Sequence, residues 1–454
     1  MTPLYYDPRM RAWSLGLAVA LTACGDGASS PSDGGHSGDG AMVDAPVLGG
    51  GNCGQLAMPT GRIVDVTPSQ AGQLGSIAAA AQAGDVLRLA DGTYPVSGDV
   101  VMNLSKANIT LISASRDASK VILDGGPSHG AREIVQASAS SITIAHVTIR
   151  NARDHLIHFY PGGGADLHGI VIYGVVLEDG GQQFLKSNTD QSPQLPQNAH
   201  FVDDVTIACS RFTMTAAGRA YVPTNPSNAS YPCYTGGIDA HAARGWRVQD
   251  NRFEGIYCDV NSLAEHAIHF WQTGRDQVIE RNVLVNNARG IGLGLGDGTG
   301  LVERPYSDNP HAADKIDPYV GNYDGLIANN MIYADIARFD SGISVEQAMG
   351  ARIVHNTVFR AGAAQGNAIE YRFENSLVEL RNNLANEVRP RDMPRGTVDH
   401  NVTSVTAAMF VAPAAGDLHL TASNDQGAPI TGITTDLDGD PRSASTPDVG
   451  ADEK

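Results

Sequence analysis

Positive charge is scarce in this chain. Thirty-one Lys and Arg stand against 49 Asp and Glu, a formal net charge of −18. A nucleic-acid partner requires a basic footprint, so that class is excluded. Aromatic residues make up only 6% of the chain, while glycine occurs 51 times. That balance excludes a helical bundle and fits a turn-rich β architecture. The N-terminal apolar run LGLAVALTA (15–23) is far shorter than the ~20 residues that span a bilayer. There are five cysteines, with no CxxC and no Cys/His zinc spacing, so zinc ribbons and dithiol redox motifs are excluded too.

What is present at the N-terminus reads as targeting. Arg9 and Arg11 precede the apolar run, and LTAC ends it at Cys24. These are signal-peptide flanks. The LTAC stretch resembles a bacterial lipobox, which implies a signal over 1–24 and lipidation of Cys24. Residues 25–52 read as a flexible Gly/Ser/Asp tether. The expected location is therefore the bacterial cell envelope, with the lipid as the only membrane contact and the chain a monomer. Setting Cys24 aside leaves Cys53, Cys209, Cys233 and Cys258, enough for two disulfides. Cys233–Cys258 is the preferred pair.

A ten-residue pattern recurs along the body: ITIAHVTIRN, IVIYGVVLED, VTIACSRFTM, WRVQDNRFEG, QVIERNVLVN, GLIANNMIYA, ARIVHNTVFR and LVELRNNLAN. The shortest spacing between starts is 26 residues. Each copy holds an apolar alternation, a polar kink, a second alternation and room for a third short strand, so successive copies stack as coils. At the kink one column repeats: Asn251, Asn282, Asn330, Asn356 and Asn382. An amide carries both donors and an acceptor, so stacked asparagines can bond one another. The coil repeat and this ladder resemble the right-handed parallel β-helix proteins of the pectate-lyase-like superfamily over about 85–420. The predicted fold class is thus all-β: a right-handed parallel β-helix over 53–420 with three strands per coil. SQAGQLGSIAAAAQ (69–82) reads as a capping helix, and 421–454 as a C-terminal cap. DLDGDP (436–441) lacks the acid that ends a calcium loop and reads as a turn.

The third strand of each coil aligns on Ile157, Leu185, Ile238, Ile268, Ile291, Ile343 and Ile369. Side chains alternate faces along a strand, so the next residue points outward. That column reads His158, Lys186, Asp239, His269, Gly292, Ser344, Glu370. Two residues further it reads Tyr160, Asn188, His241, Trp271, Gly294, Glu346, Arg372. Three histidines, Lys, Asp, Tyr and Trp fall on neighbouring coils. Gly292 and Gly294 read as bare positions beside a ligand groove, and His266 as a turn residue. His155 and Glu265 read equally well as structural.

The predicted activity is that of a polysaccharide lyase or uronan epimerase, working by proton abstraction on an acidic polysaccharide. Lys186, with Arg275 or Arg244, neutralises the uronate carboxylate. His241 or His269 is the base, and Tyr160 or the other histidine returns the proton. Asp239 completes the catalytic group. Trp271 and Tyr160 stack on sugar rings, and Asn188, His158, Arg275, Glu346 and Arg372 bind substrate. QQFLKSN around Lys186 resembles the Lys-Ser segment of alginate lyases and chondroitinase-B-like enzymes, which implies Lys186 as base. Their downstream LRHG-like strand is replaced here by GIDAHAARGW. A glycoside hydrolase using Asp239 with Glu265 or Glu346 is one alternative. A non-enzymatic glycan binder or adhesin is another. No residue pattern fixes a cofactor. A divalent cation such as Ca2+ is possible, and Asp239, His241 and His269 are plausible ligands.

Overall fold

A computed structural model describes residues 53–191, 195–295 and 301–454. The signal segment, Cys24 and the tether lie outside these described residues. The short spacings of the sequence repeat become three parallel sheets, two of ten strands and one of fourteen, in which each strand pairs with its counterpart in the coils before and after. The chain is a parallel β-helix, as the repeat predicts. Ile157, Leu185, Ile238, Ile268, Ile291, Ile343 and Ile369 are all fully buried and stand in one register-matched column. Burying a side chain of this size contributes roughly 1.5–3 kcal/mol, so the column is a main source of stability for the sheet above it.

The corner ladder is real, with one correction. Asn251, Asn282, Asn330 and Asn356 each donate from Nδ2 to the Oδ1 of the next asparagine, at 2.9–3.0 Å. The next rung is Asn383, which continues to Asn401, and not Asn382. In the Asn382–Asn383 doublet the pairing register puts Leu380 opposite Ile353, which aligns Asn383 with Asn356. Asn382 takes the left-handed backbone position (φ 56°) and bonds His355 and the Ala428 backbone instead.

The predicted N-terminal cap forms as a 3-10 turn, Pro68–Gln73, running into the helix Leu74–Ala80. A Thr67/Gln70 capping box starts it, and Leu74 and Ala78 bury into the same core as Met102 and Leu104. The C-terminal segment runs along the side of the helix. Phe410, Leu418, Leu420, Leu437, Val449 and Ala451 pack on Val283, Val285, Met331, Tyr333 and Phe359, which are outward positions of the second ten-stranded sheet. The C-terminal segment thus covers the part of that sheet formed by Val283–Val285, Met331–Ala334 and Thr357–Arg360. The Asp436 turn is a turn: its Oδ1 accepts the amides of Asp438 and Asp440. Disulfides join Cys233–Cys258, the preferred pair, and Cys53–Cys209.

Candidate functional site

The first ten-stranded sheet carries the predicted column in the predicted register. His158 pairs with Lys186, Lys186 with Asp239, Asp239 with His269, and His241 with Trp271. Neighbouring coils bring these side chains into direct contact. The Lys186 ammonium forms an ion pair with Asp239 Oδ2 and lies 2.9 Å from His241 Nε2. Asp239 Oδ1 accepts the Trp271 indole N–H at 2.7 Å and lies 3.6 Å from His241. Each member of the Lys186–Asp239 pair is only 6% exposed, while His241 keeps 13% of its side chain open. His241 stands edge-on to Trp271 (centroids 4.8 Å apart), and His269 lies parallel to the same indole at 5.6 Å.

Electrostatics assigns states to this group. Burial opposes charge on Asp239, but the Lys186 ammonium outweighs it and holds the carboxyl well below its usual range. Burial likewise opposes charge on Lys186, and Asp239 outweighs it. His241 moves the other way: burial, then the adjacent ammonium, lower its proton affinity. It is a neutral imidazole, its Nε2 lone pair facing Lys186. His269 is pushed down to about 4, first by burial, and its Nε2–H donates to the Gly294 carbonyl at 3.0 Å. It is 2% exposed, so of the two candidate bases His241 has the accessible edge.

His158 lies between Glu133 Oε2 at 3.0 Å and Asn188 Oδ1 at 3.1 Å, and Tyr160 sits beside it with ring centroids 5.8 Å apart. Burial raises the Glu133 carboxyl, but His158, His155 and Arg132 hold it near 2. His155 is structural: buried, bonded to the Gln183 carbonyl, and pushed to about 3 by burial.

Other predicted members lie apart. Gln272 and Thr273 both take positive φ, which turns the chain off this sheet before Arg275. Arg275 instead clamps the segment after residue 300, through Asp308 at 2.7 Å and Asp324 at 3.3 Å, and Arg244 reaches Asp276 and Asp308. Arg304 pins the same segment to Asp203 and the Ala242 carbonyl. Glu346 and Arg372 stay on the sheet, but four and five coils beyond Lys186, about 19 and 24 Å along the axis. Arg372 is bound to Asp392 at 2.6 Å.

The two glycines do not open a ligand groove. A Cβ at Gly292 would lie 2.8 Å from the His266 ring, and one at Gly294 would lie 1.7 Å from the Glu346 carbonyl oxygen. They make room for the protein itself. His266 is accordingly a strand residue rather than a turn residue. It is 5% exposed and bonded to Ser344 Oγ at 2.9 Å. Tyr234 is a further member missed by the column. It interacts with Lys186, Asp239 and Glu265, and burial raises its hydroxyl above its ordinary value. Its signal lay in its position one residue after Cys233, whose disulfide fixes the loop entering the Gly236–His241 strand.

No family model and no curated protein sequence matches the chain. Solved structures do. A pectate lyase, Pel9A, is 14% identical, with 87% of this chain and 97% of that one covered at a TM-score of 0.49. An alginate lyase from Paenibacillus sp. str. FPU-7 is 13% identical, with 75% and 99% covered at 0.39. PfbA, a surface adhesin of Streptococcus pneumoniae, is 11% identical, with 75% and 91% covered at 0.31. At these identities and scores the likenesses carry no argument of their own; the parallel β-helix is read from this chain's three parallel sheets.

Proposed function

We propose that this chain is a carbohydrate-active protein whose Lys186–Trp271 face binds an acidic polysaccharide and cleaves it by β-elimination, or epimerises it through the same first step. The observation that carries this reading is His241. It is a neutral imidazole with an open edge, 2.9 Å from a buried ammonium. Lys186 has three N–H donors, and Asp239 and His241 take two. A uronate carboxylate at this ammonium competes for the proton now offered to His241 and frees the imidazole lone pair. His241 then removes the C5 proton. The C4–O bond breaks, a C4–C5 double bond forms, and the leaving oxygen takes a proton, for which Tyr160, beside His158, is the tyrosine of the predicted set. Lys186 stabilises the charge that builds on the carboxylate. The buried Asp239 keeps Lys186 protonated and in place. Trp271, its N–H fixed on Asp239, offers its ring to a sugar.

The envelope location through Cys24 and the monomeric state belong to the same proposal. The test is a panel of uronans, followed by absorbance of the unsaturated product. Appearance of that absorbance with one polymer supports the lyase. Reducing ends released without it move the assignment to a hydrolase, and binding without cleavage moves it to an adhesin.

A further inference from the structure

Beside the proton-transfer group lies a second cluster that the chemistry above leaves unused. Glu265, His266 and His269 are 5%, 5% and 2% exposed. One carboxylate oxygen and one nitrogen from each ring all lie within 4.8 Å of one another. Two atoms here have no hydrogen-bond partner although fully buried: Glu265 Oε1 and His266 Nδ1. Leaving a buried polar atom unpaired costs about 1–3 kcal/mol, and two in one cluster call for an occupant. The second shell is already built. His269 Nε2–H is held by the Gly294 carbonyl and His266 Nε2 by Ser344 Oγ. A neutral imidazole donating from Nε2 carries its lone pair on Nδ1. Outer partners of this kind orient metal-ligating histidines.

We infer that Glu265, His266 and His269 form a binding site for a transition dication of the zinc class. Two imidazoles and a carboxylate are a donor set suited to zinc. Calcium takes six to eight oxygens, and this cluster does not offer them. The site also differs from the combination Asp239, His241 and His269 considered from sequence, because Asp239 is committed to Lys186 and Trp271. The charged groups facing the cluster are Asp239 with Lys186, and Arg289 with Asp340 at 2.9 Å.

The test uses the whole protein without substrate, so its outcome is independent of the lyase reading. Metal content is measured by mass spectrometry as purified, and again after chelation and addition of Zn2+ or Co2+. One ion per chain is expected, unaffected by millimolar Ca2+, with cobalt d–d bands from nitrogen and oxygen ligands. Zinc should raise the unfolding temperature. E265Q and H266Q should each weaken binding more than about tenfold, and S344A by about 10–100-fold as an outer partner. H419Q, at the other His/Asp cluster (His419, Asp438, Asp452), should leave it unchanged. Wild-type protein that takes up no stoichiometric ion overturns the inference. So does uptake that survives both E265Q and H266Q, or that is lost in H419Q.

Discussion

Replacing Lys186 by Met removes the cation from a carboxylate that is 6% exposed. The indole N–H of Trp271 and the imidazole of His241 remain on Asp239, and neither supplies a fixed charge. Breaking a buried ion pair from one side costs about 3–5 kcal/mol, because the surviving charge stays desolvated. The variant has one escape. The ammonium lowers the proton affinity of His241 and Asp239 raises it, so without Lys186 the imidazole can take up a proton and partly replace it. The loss should therefore be smaller at pH 5.5 than at pH 8, growing as pH rises through the new, higher His241 value. Adding Asp239→Asn removes the stranded charge while keeping an acceptor for Trp271, and should recover most of the loss. Denaturant unfolding of wild type, K186M and K186M/D239N at the two pH values reads all three effects. A K186M loss below about 1 kcal/mol at pH 8, or a double variant no more stable than the single, would refute this account of the pair.

Other expectations follow from the same contacts. Asn330→Ala should cost about 3–5 kcal/mol in denaturant unfolding, because it strips partners from Asn282 and from the Ile279 and Ala328 carbonyls. Asn382→Ala, off the ladder, should cost less; equal losses would contradict the ladder assignment. His155 and His355 are buried neutral, both held near 3 and first by desolvation. Their folded values lie below the ordinary ~6.5, so the unfolded chain takes up protons first. Stability should be full above about pH 6.5 and fall steadily toward pH 3, by several kcal/mol per histidine over that span. Flat stability between pH 7 and 4.5 would count against these burials.

The coil architecture and the outward column were legible because both depend on alternation within a strand, which a sequence displays directly. Ile157 through Ile369 point in, and His158 through Glu370 therefore point out. The sequence was less informative wherever the outcome depended on neighbours across coils. The Asn382–Asn383 doublet offered two registers, and only the pairing of Leu380 with Ile353 decides between them. Gly292 reads as open space until the His266 ring is seen to occupy it. Arg275 leaves the sheet because two consecutive residues take left-handed angles, a choice that Gln-Thr does not announce. Glu133 lies on the strand one coil before His158, opposite His155, and Tyr234 on the loop entering the Gly236–His241 strand, so neither stands in the two aligned columns.

The proposed function depends on His241 as the base of an acid–base site on this face. Its most direct measurement compares wild type with His241→Ala on whichever uronan the panel identifies, by initial rate of unsaturated product, with far-ultraviolet circular dichroism and melting confirming a shared fold. The expected loss is at least about 100-fold in kcat, with substrate still bound. A His241→Ala enzyme that folds and turns over at the wild-type rate would contradict it.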